Sequence, residues 1–118
     1  MSIYDITFKQ GEKGVRNAVL IDTAGNLIDL TPYTVTFVMK NSQTNALKDP
    51  ISCTLGCTYN GIVFSAARGG VTIPFDSTHT ADAGLFEGEW ILTSADAVYR
   101  VPDKDNGFVQ IMIWENIS

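Results

Sequence analysis

The sequence predicts an all-β protein, a sandwich of about seven to nine short antiparallel strands in one domain that covers residues 1–118. Apolar and polar residues alternate along most of the chain, which is the two-residue period of a strand with one buried face. Turn-forming residues separate these stretches at intervals of about 8–12 residues. No window longer than about two turns has the 3.6-residue period of an amphipathic helix. These patterns predict two sheets packed over one hydrophobic core.

The alternation is clearest in two segments near the middle of the chain. The segment "YTVTFVMK" places its large apolar residues on one predicted face: Tyr33, Val35, Phe37 and Met39. The segment "LFEGEWIL" directs Phe86 and Trp90 to one face and its two glutamates to the other. The segments "VRNAVLID" and "GVTIPF" are also rich in β-branched and aromatic residues. The predicted core therefore includes four large side chains: Phe37, Phe86, Trp90 and Ile111.

Two Asn-Gly dipeptides predict β-hairpins, because both residue types tolerate the positive φ angles of a type I′ turn. Asn60-Gly61 separates "ISCTLGCTY" from "IVFSAA". Asn106-Gly107 separates "AVYRVPDKD" from "FVQIMIWE". We therefore expect the two segments that flank each dipeptide to pair with each other.

The run "TADAGLFEGEW" predicts a corner at the start of a strand. Residues 82–86, Asp-Ala-Gly-Leu-Phe, are similar to the Asp-x-Gly-x-Tyr run that opens one strand of immunoglobulin-type sandwiches. Phe86 stands in the place of that Tyr, and Gly88 stands where a disulfide Cys would follow. We predict an immunoglobulin-like sandwich in which Gly84 makes the bend and Phe86 fills the core. Packing alone is expected to hold this core together.

Charge and composition exclude several classes of partner. The net charge is −5 and the eight basic residues are scattered, so no basic stripe is present that could neutralise phosphates. Neither nucleic acid nor an anionic membrane surface is therefore an expected partner. The first residues, "MSIYDITFKQG", lack the basic start and apolar run of a signal peptide, so we expect synthesis in the cytoplasm.

The two cysteines lie four residues apart, at Cys53 and Cys57. An extended strand would separate them by roughly 13 Å, which is too far for a disulfide unless the chain turns at Gly56. Free thiols are the favoured interpretation, and pairing through such a turn is the alternative. The only histidine is His79, and no second cysteine pair is present, so we predict no metal site.

Candidate catalytic residues are few. His79 has Asp76 and Asp82 nearby in sequence, but no Ser or Cys lies in a strand-turn-helix elbow, so an exposed histidine in a turn is expected. Glu87 and Glu89 lie about 7 Å apart on one strand face, within the range of inverting glycosidases, yet a solvated sheet face carries such pairs too. The segment 103–107 lacks the spacing of a calcium loop. We predict neither an enzyme nor a cofactor.

The last predicted strand, "GFVQIMIWE", is apolar on both faces. Val109, Ile111 and Ile113 can face the core, and the opposite face then carries Phe108, Met112 and Trp114. Such a strand either lies under a loop or contacts another chain. With the N-terminal segment added, five residues are candidates for an interface with a neighbouring subunit: Tyr4, Phe8, Phe108, Met112 and Trp114.

The chain resembles a group of small bacteriophage proteins. These are the immunoglobulin-like modules at the N-terminus of phage baseplate upper proteins, which also occur as short standalone virion proteins. The segment "ITFKQGEKGVRNAVLIDTAGNLIDLTPYTVTFVMKN" carries most of the resemblance, with "GIVFS", "TADAGLFEGEW" and "YRVPDKDNGFVQIMIW" after it. Within it the run "GNLIDLT" is the most distinctive element. A proline, Pro32, replaces the glycine that usually follows the Leu-Thr pair in the family.

The resemblance implies a non-enzymatic structural protein of a tailed-phage virion, with a tail or baseplate component as the first expectation. Its partners would be other virion proteins and further copies of itself, and a homotrimer is one form of that assembly. A capsid decoration or cement protein that stabilises the head lattice is the alternative. A carbohydrate-binding module for host surface glycans is a second alternative. The glycan module requires exposed aromatic residues in a groove, whereas a lattice protein requires a broad, flat apolar face.

Overall fold

The computed structural model describes residues 5–22, 24–101 and 109–115, and it confirms an all-β, sandwich-like domain. These residues contain eleven strands and a 3-10 turn at Ala66–Arg68. This exceeds the expected strand count, because residues 51–64 form four strands of only two or three residues each. The strands are β1 (Ile6–Lys9), β2 (Gly14–Val19), β3 (Thr34–Asn41), β4 (Ile51–Ser52), β5 (Thr54–Leu55), β6 (Cys57–Tyr59), β7 (Ile62–Phe64), β8 (Gly70–Phe75), β9 (Gly84–Thr93), β10 (Val98–Val101) and β11 (Val109–Trp114).

The larger sheet has the order β1-β11-β9-β3-β4, and β10 also pairs with β9. Its pairings are antiparallel except that β1 runs parallel to β11. The smaller sheet has the order β2-β8-β5, and β6 and β7 form a separate hairpin. At ten residues β9 is the longest strand, and it supplies pairing positions to three others. It is therefore the central strand of the larger sheet.

The hairpin predicted at Asn60-Gly61 is confirmed. Both residues have positive φ, 52° and 79°, and Tyr59 pairs directly with Ile62. The hairpin predicted at Asn106-Gly107 lies outside the described residues, and the described strands on either side of it, β10 and β11, are not partners of each other. Both pair antiparallel with β9, one after the other on the side opposite β3.

The four residues predicted for the core are all buried: Phe37, Phe86, Trp90 and Ile111. Aromatic rings connect the two sheets, because the Phe75 ring of the smaller sheet lies 5.9 Å from Phe37 and 4.9 Å from Phe8. Phe8 is only 4% exposed, since β1 turns Ile6 and Phe8 inward and Thr7 and Lys9 outward. The interpretation of Phe8 as an interface residue is therefore wrong: it belongs to the core.

Gly88 lies at a position of β9 where a side chain does not fit. A Cβ atom on Gly88 would lie 2.3 Å from Cζ of Phe37 and 3.0 Å from Cδ1 of Ile111. Phe37 is fully buried, so its ring cannot move aside freely. The ring thus fills the space that a side chain at this position of β9 would need.

Both cysteines are free, which confirms that prediction. Burial raises the pKa of the Cys53 thiol to about 12, so this thiol stays protonated near neutral pH. Cys53 packs against the core as a small apolar side chain. The Cys57 thiol donates a 3.4 Å hydrogen bond to the Ala18 carbonyl oxygen. Both residues therefore have structural roles.

Candidate binding groove

A groove of about 870 Å³ lies between β9 and β10 on one side and residues 19–22 and 25–29 on the other. We call this cleft the groove. Along β9, the groove begins after the tightly packed residue Gly88 and is lined by Trp90 and Leu92. The smaller sheet contributes the end of β2 and the loop that follows it. The groove therefore lies at one end of the sandwich, where the opposite wall is a loop.

The loop wall owes its shape to Asp22. Its Oδ1 atom accepts hydrogen bonds of 2.9 Å from the backbone N–H groups of Ala24 and Asn26, which closes a tight turn. On either side of this turn Ile21 and Leu27 form an antiparallel bridge. Both side chains line the groove and are substantially exposed. The turn thus presents two aliphatic side chains to the cleft.

The opposite wall is aromatic. Tyr33 and Tyr99 lie with ring centroids 5.9 Å apart at an interplanar angle of 83°, which is an edge-to-face contact. The Tyr99 side chain is 53% exposed and comes from β10, where it pairs with Leu92. Trp90 lines the groove on the same sheet, and its ring centroid lies 5.1 Å from that of Phe37. Trp90 thus connects the core to the groove.

Trp90 carries an unpartnered polar atom. Among the described residues, one buried side-chain nitrogen or oxygen atom makes no hydrogen bond, namely Nε1 of Trp90. The residue as a whole is 7% exposed. A buried donor without an acceptor costs about 1–3 kcal/mol relative to a satisfied one. A donor in this state beside a groove suggests a ligand that would accept its hydrogen bond.

Two carboxylates and one guanidinium complete the lining. Oδ1 of Asp29 accepts from the hydroxyl of Thr31 at 2.6 Å and from its backbone N–H at 3.0 Å, and these bonds lower the pKa of Asp29. Asp22 and Asp29 each use Oδ1 in their own turns, and within the described residues Oδ2 of each has no hydrogen-bond partner. Arg100 pairs with Glu89 at 2.5 Å. The groove therefore has an excess of fixed acceptors.

The other residues considered for catalysis or metal binding make contacts that stabilise the fold. His79 is buried, and its Nδ1 accepts a 3.0 Å hydrogen bond from the backbone N–H of Asp76, so the expectation of an exposed histidine is wrong. Glu89 is held by Arg100, and Glu87 faces Lys40 across the strand pair. Among residues 5–22, 24–101 and 109–115, no group of three or more potential ligands could hold a metal ion. The segment 103–107 lies outside the described residues.

The predicted interface residues have separate locations. Met112 is half-buried on the outer face of the larger sheet, flanked by Thr7 and Leu85. Trp114, two residues further along the same face, is 50% exposed. Tyr4 and Phe108 lie outside the described residues. We call Leu85, Met112 and Trp114 together the outer patch.

No protein-family model matches the sequence, and no curated protein matches it. In the part of the chain that the structure describes, no helix has the length and apolar character needed to cross a membrane. The groove was not predicted from the sequence. Its one sequence signal is the alternation of Tyr99 and Val101 in "AVYRV", which turns both side chains toward the face that carries Trp90.

Proposed function

We propose that this chain is a non-enzymatic structural protein of a tailed-phage virion and that it acts in the tail or baseplate by binding other virion proteins. The resemblance to phage immunoglobulin-like modules, which covers nearly the whole chain in order, supports the proposal. The sandwich-like fold is compatible with it. The resemblance is the basis for the virion context, and the outer surface of the larger sheet is the proposed place of contact.

The observation that carries the assembly role is the outer patch. Trp114 is half exposed at the end of β11, and Met112 and Leu85 occupy directly paired positions beside it. Tryptophan and methionine are enriched at the centres of protein interfaces, where a buried tryptophan contributes a couple of kcal/mol. Because β1 and β11 run parallel, Lys9 and Thr7 border the patch on its other side. The result is a small apolar surface with a polar rim.

The experiment introduces Trp114→Ser and Met112→Ser separately into phage particles and into the purified protein. Both side chains are partly exposed, so we expect each variant to fold like the parent. We expect incorporation into particles to fall about tenfold or more for Trp114→Ser. Native mass spectrometry measures the loss of homo-oligomer, and gold labelling of the parent protein in particles shows whether it lies in the tail or on the head.

Tyr59→Ser is the matched control, because Tyr59 is a similarly exposed aromatic residue on the β6–β7 hairpin, away from the outer patch. This variant is expected to assemble normally. Normal incorporation of both outer-patch variants would overturn the assigned contact. Gold label over the head lattice would replace the tail assignment with capsid decoration.

A further inference from the structure

We infer that the groove binds a neutral sugar, an activity additional to the proposed assembly role and carried by different residues. Its volume of about 870 Å³ falls within the range of roughly 300–1,000 Å³ found for small-molecule sites. Its walls combine apolar side chains with a few fixed polar groups, as such sites do. The identity of the ligand follows from what those groups require.

The polar groups require a ligand that both donates and accepts hydrogen bonds. Asp22 and Asp29 line the groove, and each has one carboxylate oxygen that no described residue occupies. Trp90 offers an N–H that no described residue accepts. Sugar hydroxyls donate to the first two and accept from the third. Since Oδ1 of each aspartate is fixed by its own turn, the free oxygens are already positioned.

The apolar groups require a ligand with a flat C–H face. Tyr99 is the most exposed aromatic residue of the groove, and Tyr33 supports it through the edge-to-face contact. The C–H face of a pyranose ring packs on such an aromatic surface. Ile21 and Leu27, both exposed, provide an aliphatic surface on the other wall. A sugar ring presents both an apolar face and a polar edge to this arrangement.

Charge distinguishes a neutral sugar from the alternatives. Anionic ligands face two carboxylates, and the one guanidinium, that of Arg100, is already paired with Glu89. A small organic cation would suit the aromatic rings and the carboxylates. It would, however, leave the Trp90 N–H without an acceptor, whereas a sugar oxygen satisfies it. Because Nε1 is itself buried, a sugar oxygen reaches it only when the atoms that cover Nε1 move.

The indole N–H signals in a ¹⁵N-correlated NMR spectrum provide a direct test. The chain has two tryptophans, and the Trp114→Phe variant identifies which signal belongs to Trp90. The parent protein is titrated with neutral probes, namely glucose, galactose, mannose, rhamnose and N-acetylglucosamine and their short oligomers, up to about 10 mM. Tetramethylammonium and glucuronate serve as the cationic and anionic probes. We expect at least one neutral probe to shift the Trp90 signal saturably.

Three substitutions test which residues bind. Asp22→Asn keeps the Oδ1 acceptor that closes the turn but replaces the free oxygen with a donor, and Tyr99→Ala removes the exposed ring. Each is expected to weaken binding about tenfold or more. Asp76→Asn makes the same chemical change in a turn of the same kind outside the groove, so binding should be unaffected.

Three outcomes would overturn the sugar site. The first is the absence of a saturable shift of the Trp90 signal with every neutral probe. The second is a shift that Asp22→Asn and Tyr99→Ala leave unchanged. The third is saturation by tetramethylammonium alone, which would identify a cation site. Failure of the sugar site leaves the assembly proposal intact, because the variants of the outer patch are scored by incorporation into particles.

Discussion

The two halves of strand β9 differ in packing: one half is tightly packed, and the other lines a groove. In the closed half, Gly84–Gly88, the inward positions are filled so tightly that Gly88 has no room for a Cβ atom. In the open half, Trp90–Thr93, Trp90 and Leu92 line a groove of about 870 Å³, and Nε1 of Trp90 has no partner among the described residues. Buried and less buried positions alternate in both halves.

The difference comes from what faces each half. The closed half ends under the Phe37 ring, which contacts Phe75 of the smaller sheet and also touches Trp90 at the start of the open half. The open half faces the loop after β2, where the Asp22 turn leaves Ile21 and Leu27 partly exposed. A loop wall packs less completely than a strand wall because its backbone must satisfy its own hydrogen bonds. The same strand can therefore stabilise the fold at one end and form a site at the other.

The largest effect is expected for Phe86→Ala in the closed half. Phe86 is 1% exposed and fills the core where β9 pairs with β11, so removing the ring should cost about 3–5 kcal/mol in the free energy of unfolding. Urea denaturation measures this value. Tyr99→Ala is the comparison, because Tyr99 lies on β10 and pairs with Leu92 of the open half; it should cost less than about 1 kcal/mol. Equal losses from the two variants would refute the division of β9 into two halves.

A smaller effect is expected for Gly88→Ala. The added methyl group would meet the buried Phe37 ring, so the variant should lose about 1–3 kcal/mol by overpacking. Gly14→Ala is the matched control, because Gly14 also lies in a strand and a Cβ there would make only ordinary contacts, 3.6 Å and longer. The control should be neutral or slightly stabilising, since alanine restricts the unfolded chain. If both variants were equally stable, the packing argument at Gly88 would fail.

The sequence predicted the parts of this fold that depend on local pattern. Alternation placed Phe37, Phe86 and Ile111 inside, and Asn60-Gly61 formed the expected hairpin, because both signals act between neighbouring residues. Asn106-Gly107 has the same local signal, but its flanking strands both pair with β9. Pairing with a distant strand is a tertiary preference that a turn dipeptide does not encode.

The groove could not be predicted from the sequence, for a similar reason. It depends on the distance between a loop near Asp22 and a strand that holds Tyr99, which are far apart in the chain. The burial of Phe8 and His79 was also missed, because each is covered by distant elements: Phe75 lies against both rings. Of the candidate interface, only Met112 and Trp114 are described on the surface.

The smallest effect is expected for Trp90→Phe, and it tests the open half directly. The substitution removes apolar area, which costs stability, but it also removes the unpartnered N–H, whose burial costs about 1–3 kcal/mol. The two contributions oppose each other, so the free energy of unfolding in urea should change by less than about 1 kcal/mol. Trp114→Phe makes the same substitution at a half-exposed position, so its change in the free energy of unfolding is the reference value for replacing Trp by Phe. A loss from Trp90→Phe as large as that from Phe86→Ala would mean that Nε1 is satisfied in solution. Trp90 would then be an ordinary core residue, and the open half would be packed as completely as the closed half.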